Sequence, residues 1–132
     1  MDYKNVQELP SSEVKWLWIN KFFDGPLQGI VEVNGGFCLG DFLEESKSEK
    51  EEGWYRRFVV IKLSKEQEAV ERYWHSEFVK YVGNHFECNP DSSRIKVGAT
   101  VPQSEWNKFY VPYKKRNKPS FDSNEVIGWT KI

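Results

Sequence analysis

Residues 54–83, WYRRFVVIKLSKEQEAVERYWHSEFVKYVG, are the stretch that decides the fold. Residues 54–63 predict a strand whose two faces are both apolar in the middle and charged only towards the ends, which is typical of a central strand covered on both sides. Ser64 and Gln67 then form a capping-box pattern, and Gly83 suits the end of a helix. Between them, apolar residues recur at three- and four-residue spacing and predict one long amphipathic helix over residues about 65–82. Its apolar stripe consists of Val70, Tyr73, Trp74, Phe78, Tyr81 and Val82.

The segments before this stretch favour antiparallel strands. Residues 29–43 read as a hairpin, because Asn34-Gly35 is the dipeptide that two-residue type I′ turns require. Residues 13–23 fit either a strand or a helix, since alternate residues are apolar but a helical stripe is also present. The alternation favours a strand there.

The segments after the helix complete an α+β domain. Residues 94–101 and 125–132 alternate as strands, and residues 102–110 fit a short helix that should end before Pro112. We expect a mainly antiparallel sheet of about five to six strands with the long helix packed on it. The helical stripe should contact Val59, Ile61 and Leu63, and Trp74 should be its most costly side chain to truncate.

Bulk properties predict a single cytoplasmic domain spanning residues 1–132. The net charge is −1, and two cysteines are too few for a disulfide framework. No apolar run approaches the roughly 18 residues of a membrane span. The N-terminal residues show no secretory signal. We expect a loosely ordered arm over residues 1–12, a mobile acidic loop over residues 44–53 and a basic loop over residues 114–120. The sequence does not define an oligomeric state, and nothing in it indicates a membrane partner.

Catalytic and cofactor-binding motifs are missing from the sequence. There is no GxxxxGK[ST], no GxGxxG before a helix and no GxSxG. Cys38, between Phe37 and Leu39, fits a buried small hydrophobe better than a nucleophile. His85 and Cys88 form one ligand pair, whereas structural zinc needs two. We therefore expect neither a metal nor a cofactor.

Five side chains are candidates for a ligand-binding or catalytic pocket between sheet and helix. Arg56 and Arg57 point to opposite faces of their strand, and a guanidinium on the helix side would suit a carboxylate or phosphate. Glu32, flanked by valines, could pair with either arginine, while Asp24 and His75 are further acid–base candidates. This pocket is the second hypothesis for function.

A third hypothesis is nucleic-acid binding through residues 110–118. This is the only basic patch that is interleaved with aromatic residues, a combination that can contact phosphates and stack bases. A net charge of −1 and the absence of a long basic groove argue against it. Its candidate contacts are Tyr110, Tyr113, Lys114, Lys115, Arg116 and Lys118, and Trp106 is a further candidate for a ligand or partner contact.

The leading hypothesis is a non-catalytic module that binds another protein, of the inhibitor or immunity type. It rests on the missing catalytic motifs together with a large aromatic content, six Trp, six Tyr and nine Phe. Trp and Tyr are favoured anchors at protein interfaces. The oppositely charged loops at 44–53 and 114–118 would add polar contacts to the same partner.

Overall fold

Five long antiparallel strands form an open sheet in the computed structural model, which describes residues 6–22, 25–47, 53–83, 86–88, 94–96, 98–116 and 124–132. Two three-residue strands extend the sheet beyond β1, giving the order β6-β5-β1-β2-β3-β4-β7. The strands are β1 Val14–Phe22, β2 Pro26–Val33, β3 Gly36–Lys47, β4 Trp54–Lys62, β5 Phe86–Cys88, β6 Arg94–Lys96 and β7 Val126–Lys131.

Two helical segments accompany the sheet. Helix α1 covers Lys65–Glu77 and continues as a π-helical turn over Phe78–Val82. A 3₁₀ turn, Gln103–Glu105, precedes helix α2, Asn107–Lys114. The α+β prediction is thus confirmed, but the picture of one long helix is incomplete, because residues 65–82 change helix type at Phe78 and a second helix packs beside them.

The local signals at both ends of α1 are confirmed. The Ser64 hydroxyl accepts a hydrogen bond from the Gln67 amide, and the Gln67 side chain accepts one from the Ser64 amide. At the other end, Gly83 adopts a left-handed conformation with φ 71° and donates its amide hydrogen to the Phe78 carbonyl, five residues back. That i→i−5 hydrogen bond is the signature of a π turn.

The hairpin and the central strand also follow the sequence. Asn34 and Gly35 have φ angles of 51° and 77°, both positive as a type I′ turn requires. Strand β4 lies between β3 and β7 and buries residues 58–61 completely, so that both of its faces are covered. Its side chains enter two separate cores, one on each side of the sheet.

The first core lies on one side of the sheet. Trp16 on β1 crosses over Gly29 and Gly40 to contact Phe58 on β4, with ring centroids 5.1 Å apart. The ring can cross two intervening strands because each of them carries a glycine beneath it. The members of this core are Leu9, Val14, Trp16, Ile19, Val31, Val33, Cys38, Phe58 and Val60.

The N-terminal segment is docked on the sheet rather than loosely held. The Leu9 amide donates to the Trp129 carbonyl, and the Trp129 amide donates to the Gln7 carbonyl, forming a parallel bridge to β7. Leu9 itself is buried against Gly128 in the first core. Within residues 6–12 of the expected loose arm, Gln7 and Leu9 therefore contact the sheet. Residues 1–5 lie outside the described residues.

Helix α1 contacts the opposite side of the sheet at strands β1 and β3. The His75 ring stacks on Trp18 at 4.0 Å, and the Arg72 guanidinium lies 4.3 Å above the Phe37 ring. These contacts border the second core, in which the predicted strand residues Val59, Ile61 and Leu63 pack with Trp18, Ile30, Phe37 and Leu39. The apolar stripe of α1 packs against α2 rather than against these predicted strand residues. Trp74 and Phe78 contact α2, and Tyr73 is exposed.

Three segment boundaries differ from the sequence predictions. Strand β3 continues to Lys47 because its acidic residues pair with arginines on β4, so the acidic loop begins later than residue 44, and residues 48–52 lie outside the described part. Helix α2 passes through Pro112 to Lys114, since burial of Tyr113 outweighs one missing backbone hydrogen bond. Strand β6 ends at Lys96, short of the predicted residue 101.

Candidate interaction surface

The two arginines of β4 point to opposite faces, as the alternation predicts. On the side of the first core, Arg56 donates from Nη1 to the Pro26 carbonyl at 3.0 Å and from Nε to Glu45 at 3.3 Å. On the helix side, Arg57 donates to Glu44 at 2.7 Å and its guanidinium lies 4.1 Å above the Trp129 ring. Each side chain therefore pairs with a glutamate of the neighbouring strand β3.

The other candidates for a pocket are not gathered around these arginines. Glu32 is exposed and opposes Phe37 on β3, whereas Arg57 opposes Glu44, seven residues further along that strand. At about 3.3 Å per residue, Glu32 and Arg57 are more than about 20 Å apart. His75 is committed to its stack on Trp18, and Asp24 lies outside the described residues.

Helices α1 and α2 form an aromatic layer beside the sheet, which contains three of the sequence-predicted site residues. Phe78 is its centre, with Tyr110 at 4.9 Å and Tyr113 at 5.0 Å between ring centroids. The two helices run antiparallel, because Trp74 meets Tyr113 while Tyr81 meets Phe109. The layer comprises Trp74, Phe78, Val82, Trp106, Phe109, Tyr110 and Tyr113.

A buried ion pair joins the two helices. The Arg116 Nε atom donates to Glu71 at 2.8 Å, and the two side chains are only 7% and 1% exposed. The guanidinium also covers the Tyr113 ring at 3.7 Å and donates to the Tyr113 carbonyl. Burial, opposed by the charge of Arg116, raises the pKa of Tyr113 to about 12. Sequence reasoning missed Glu71, because nothing in a helical pattern distinguishes a buried glutamate from a solvated one.

These contacts reduce the number of side chains in the predicted basic segment that are available to a ligand. Arg116 and Tyr113 are occupied within the fold, so only Lys114 and Lys115 of the predicted contacts at this end of α2 are exposed. Residues 117–120 of the expected basic loop lie outside the described residues. A phosphate-binding and base-stacking surface would need Arg116 and Tyr113 to be accessible, and here neither side chain is.

The exposed rings lie instead on the outer side of α1. Tyr73 is 56% exposed and Tyr81 is 38% exposed, while the partly buried Val70 lies between them and the helix start. Both rings are held in place, because Tyr73 contacts the edge of Trp74 at 5.0 Å and Tyr81 stacks on Phe109 at 5.3 Å. We call this surface, Val70, Tyr73, Glu77 and Tyr81, the outer stripe.

Signals for other kinds of site are missing from the part of the chain that the structure describes. In those ranges no three His, Cys, Asp or Glu side chains are grouped as metal ligands. None of the described helices is both long and apolar enough to cross a bilayer. The buried Cys38 has its pKa raised to about 11 by burial, which disfavours the nucleophilic thiolate.

Sequence reasoning placed Tyr73 and Tyr81 in the core stripe, although the width of that stripe was a usable signal. Its apolar residues span more of the helix circumference than one packing neighbour covers, which indicates that part of the arc faces outward.

No protein-family model, curated protein or solved structure matches this chain.

Proposed function

We propose that this chain is a non-catalytic module that binds another protein through the outer stripe of α1. The observation that carries the proposal is a pair of large, positioned and exposed rings, Tyr73 and Tyr81, on one side of a helix. Rigid tyrosines provide contact area at a low cost in conformational entropy, and they are enriched at the energetic centres of interfaces.

The arrangement of charged side chains supports a binding role over catalysis. Among the described residues, Arg56 and Arg57 are each paired with a β3 glutamate, and Arg116 is paired with Glu71. A general acid or base has to stand within hydrogen-bond reach of a substrate in a shared pocket. The candidates for that role are distributed over different faces and ends of the sheet, whereas the exposed rings share one helix.

The small single-domain architecture fits an inhibitor or immunity-type module, which acts by covering a surface of its target. Such a module needs a rigid contact face more than a cavity. The aromatic layer and the Glu71–Arg116 pair provide that rigidity, because they fix α1 against α2 directly beneath the outer stripe.

Site-specific photocrosslinking in cells that express the protein natively tests the proposal. Tyr73 is replaced by p-benzoylphenylalanine, and Trp54, 69% exposed but outside the α1–α2 layer, is replaced in the same way as a matched control. We expect an adduct of discrete mass from position 73 that is absent from position 54 and is lost when Tyr81→Ser is added. No adduct from position 73, or identical adducts from both positions, would contradict the proposal.

A further inference from the structure

The outer stripe contains an acidic group between its two rings. Tyr73, Glu77 and Tyr81 follow one another at four-residue spacing, which places successive Cβ atoms about 5–6 Å apart on one side of a helix. In a regular α-helix, eight steps of about 100° would set Tyr81 about 80° around the axis from Tyr73. The π turn over Phe78–Val82 advances fewer degrees per residue and brings Tyr81 closer to the line of Tyr73.

Among the acidic residues of α1, the exposed Glu66 and the partly buried Glu77 have no counter-ion within the described residues. Within the described ranges Glu68 pairs with Arg72, Glu71 with Arg116, and Glu105 with Lys108. Glu77 forms no ion pair there, not even with Lys80 three residues later. Glu77 is also partly buried, so its unpaired charge is less well solvated than that of the exposed Glu66.

An unpaired carboxylate flanked by exposed tyrosine rings has the chemistry of a receptor for a cation. The faces of tyrosine rings attract guanidinium and ammonium groups, and the attraction grows as the cation is desolvated. A carboxylate beside them supplies the charge-assisted hydrogen bonds that an arginine prefers. Glu77 is itself partly buried, which strengthens its attraction for a cation.

Building on the proposed function, we infer that the partner protein inserts an arginine or lysine side chain between Tyr73 and Tyr81, with Glu77 as its counter-ion. The cation pairs with the partly buried carboxylate, and its alkyl stem covers the tyrosine rings. The stripe therefore selects partners with a basic anchor residue over partners with a purely apolar one.

Selection from a phage-displayed library of random peptides tests this inference. Wild-type protein and Glu77→Lys are used as separate baits, with Glu66→Lys as a matched control because it makes the same charge change at an exposed position in the first turn of α1. Circular dichroism checks that each bait is folded. Recovered peptides are then measured against Tyr73→Ser and Glu77→Gln by fluorescence anisotropy.

We expect wild-type protein and Glu66→Lys to enrich arginine and lysine, and Glu77→Lys to enrich aspartate and glutamate instead. Binding of the wild-type peptides should fall at least about tenfold in both Tyr73→Ser and Glu77→Gln. Peptides that depend on Tyr73 but show no basic enrichment and no response to Glu77→Gln would overturn the inference and leave the proposed function standing. Peptides that are indifferent to Tyr73→Ser would overturn both.

Discussion

Breaking the buried ion pair between α1 and α2 should be among the most destabilising single changes in the chain. Glu71→Ala leaves the Arg116 guanidinium, 7% exposed, without the carboxylate that lies 2.8 Å from its Nε atom. Removing one partner of a buried pair costs about 3–5 kcal/mol, because the remaining charge stays desolvated. A domain has only about 5–15 kcal/mol of total stability, so Glu71→Ala is expected to be folded but marginal.

Equilibrium urea unfolding, followed by far-ultraviolet circular dichroism, gives the free energy of unfolding for a double-mutant cycle. Glu71→Leu and Arg116→Met should each cost about 3 kcal/mol or more, while the double variant should lie within about 1 kcal/mol of wild type because no charge remains buried. The exposed pair of Glu68 and Arg72 is the control, since breaking it should cost under about 1 kcal/mol. Additive losses in the double variant would refute this reasoning.

Three further changes test other parts of the fold. Gly29→Ala places a Cβ 2.6 Å from the Trp18 carbonyl oxygen and should cost about 3 kcal/mol in urea unfolding. Gly98→Ala, whose Cβ would meet no atom of the described residues within 4 Å, should change stability by under about 0.5 kcal/mol. Phe78→Ala should cost about 3–5 kcal/mol and exceed the partly exposed Trp74→Ala; the reverse order would contradict the position of Phe78 at the centre of the layer. Burial raises the pKa of the Cys38 thiol from 9.0 to about 11, so an unfolded chain releases this proton first. The free energy of unfolding that Cys38 contributes is complete below pH 9 and falls between pH 9 and 11 by up to about 1.4 kcal/mol per pH unit. In pH-dependent unfolding, Cys38→Ala should lack this decrease, while the decrease due to Tyr113, whose pKa is raised from 10.0 to about 12, remains.

The parts of the fold that the sequence predicts are those governed by neighbouring residues. The Asn34-Gly35 turn needs two positive φ angles, and few other dipeptides supply them. The exchange of hydrogen bonds between Ser64 and Gln67 depends only on three-residue spacing. The strand over residues 54–62 is predicted to be central because its two faces are both apolar, and both therefore have to be covered by other parts of the chain.

The parts that the sequence does not predict depend on contacts between distant segments. The position of Trp16 over two glycines requires knowledge that β1, β2 and β3 are adjacent and in this register. Arg116, predicted as a ligand contact, is buried because α2 places it beside Glu71, forty-five residues earlier in the chain. Side-chain charge alone predicts exposure, so sequence reasoning assigned Arg116 to a solvated basic loop.

The same long-range contacts explain why Tyr73 is exposed. Helix α1 meets the sheet through His75 and Arg72, so its large rings have to find cover on α2. The two helices run antiparallel, and α2 has eight residues against thirteen in α1, or about 12 Å against about 20 Å.

Tyr113, near the C-terminal end of α2, lies level with Trp74, so Tyr73 stands where the cover from α2 ends. Beyond that level Arg116 reaches back to Glu71, which closes the buried side of α1 but not its outer side. The unequal helix lengths thus account for the exposure of Tyr73, whereas Tyr81 is exposed on the outer side of α1 although it stacks on Phe109 of α2. A partner that bound there would extend the layer where α2 stops.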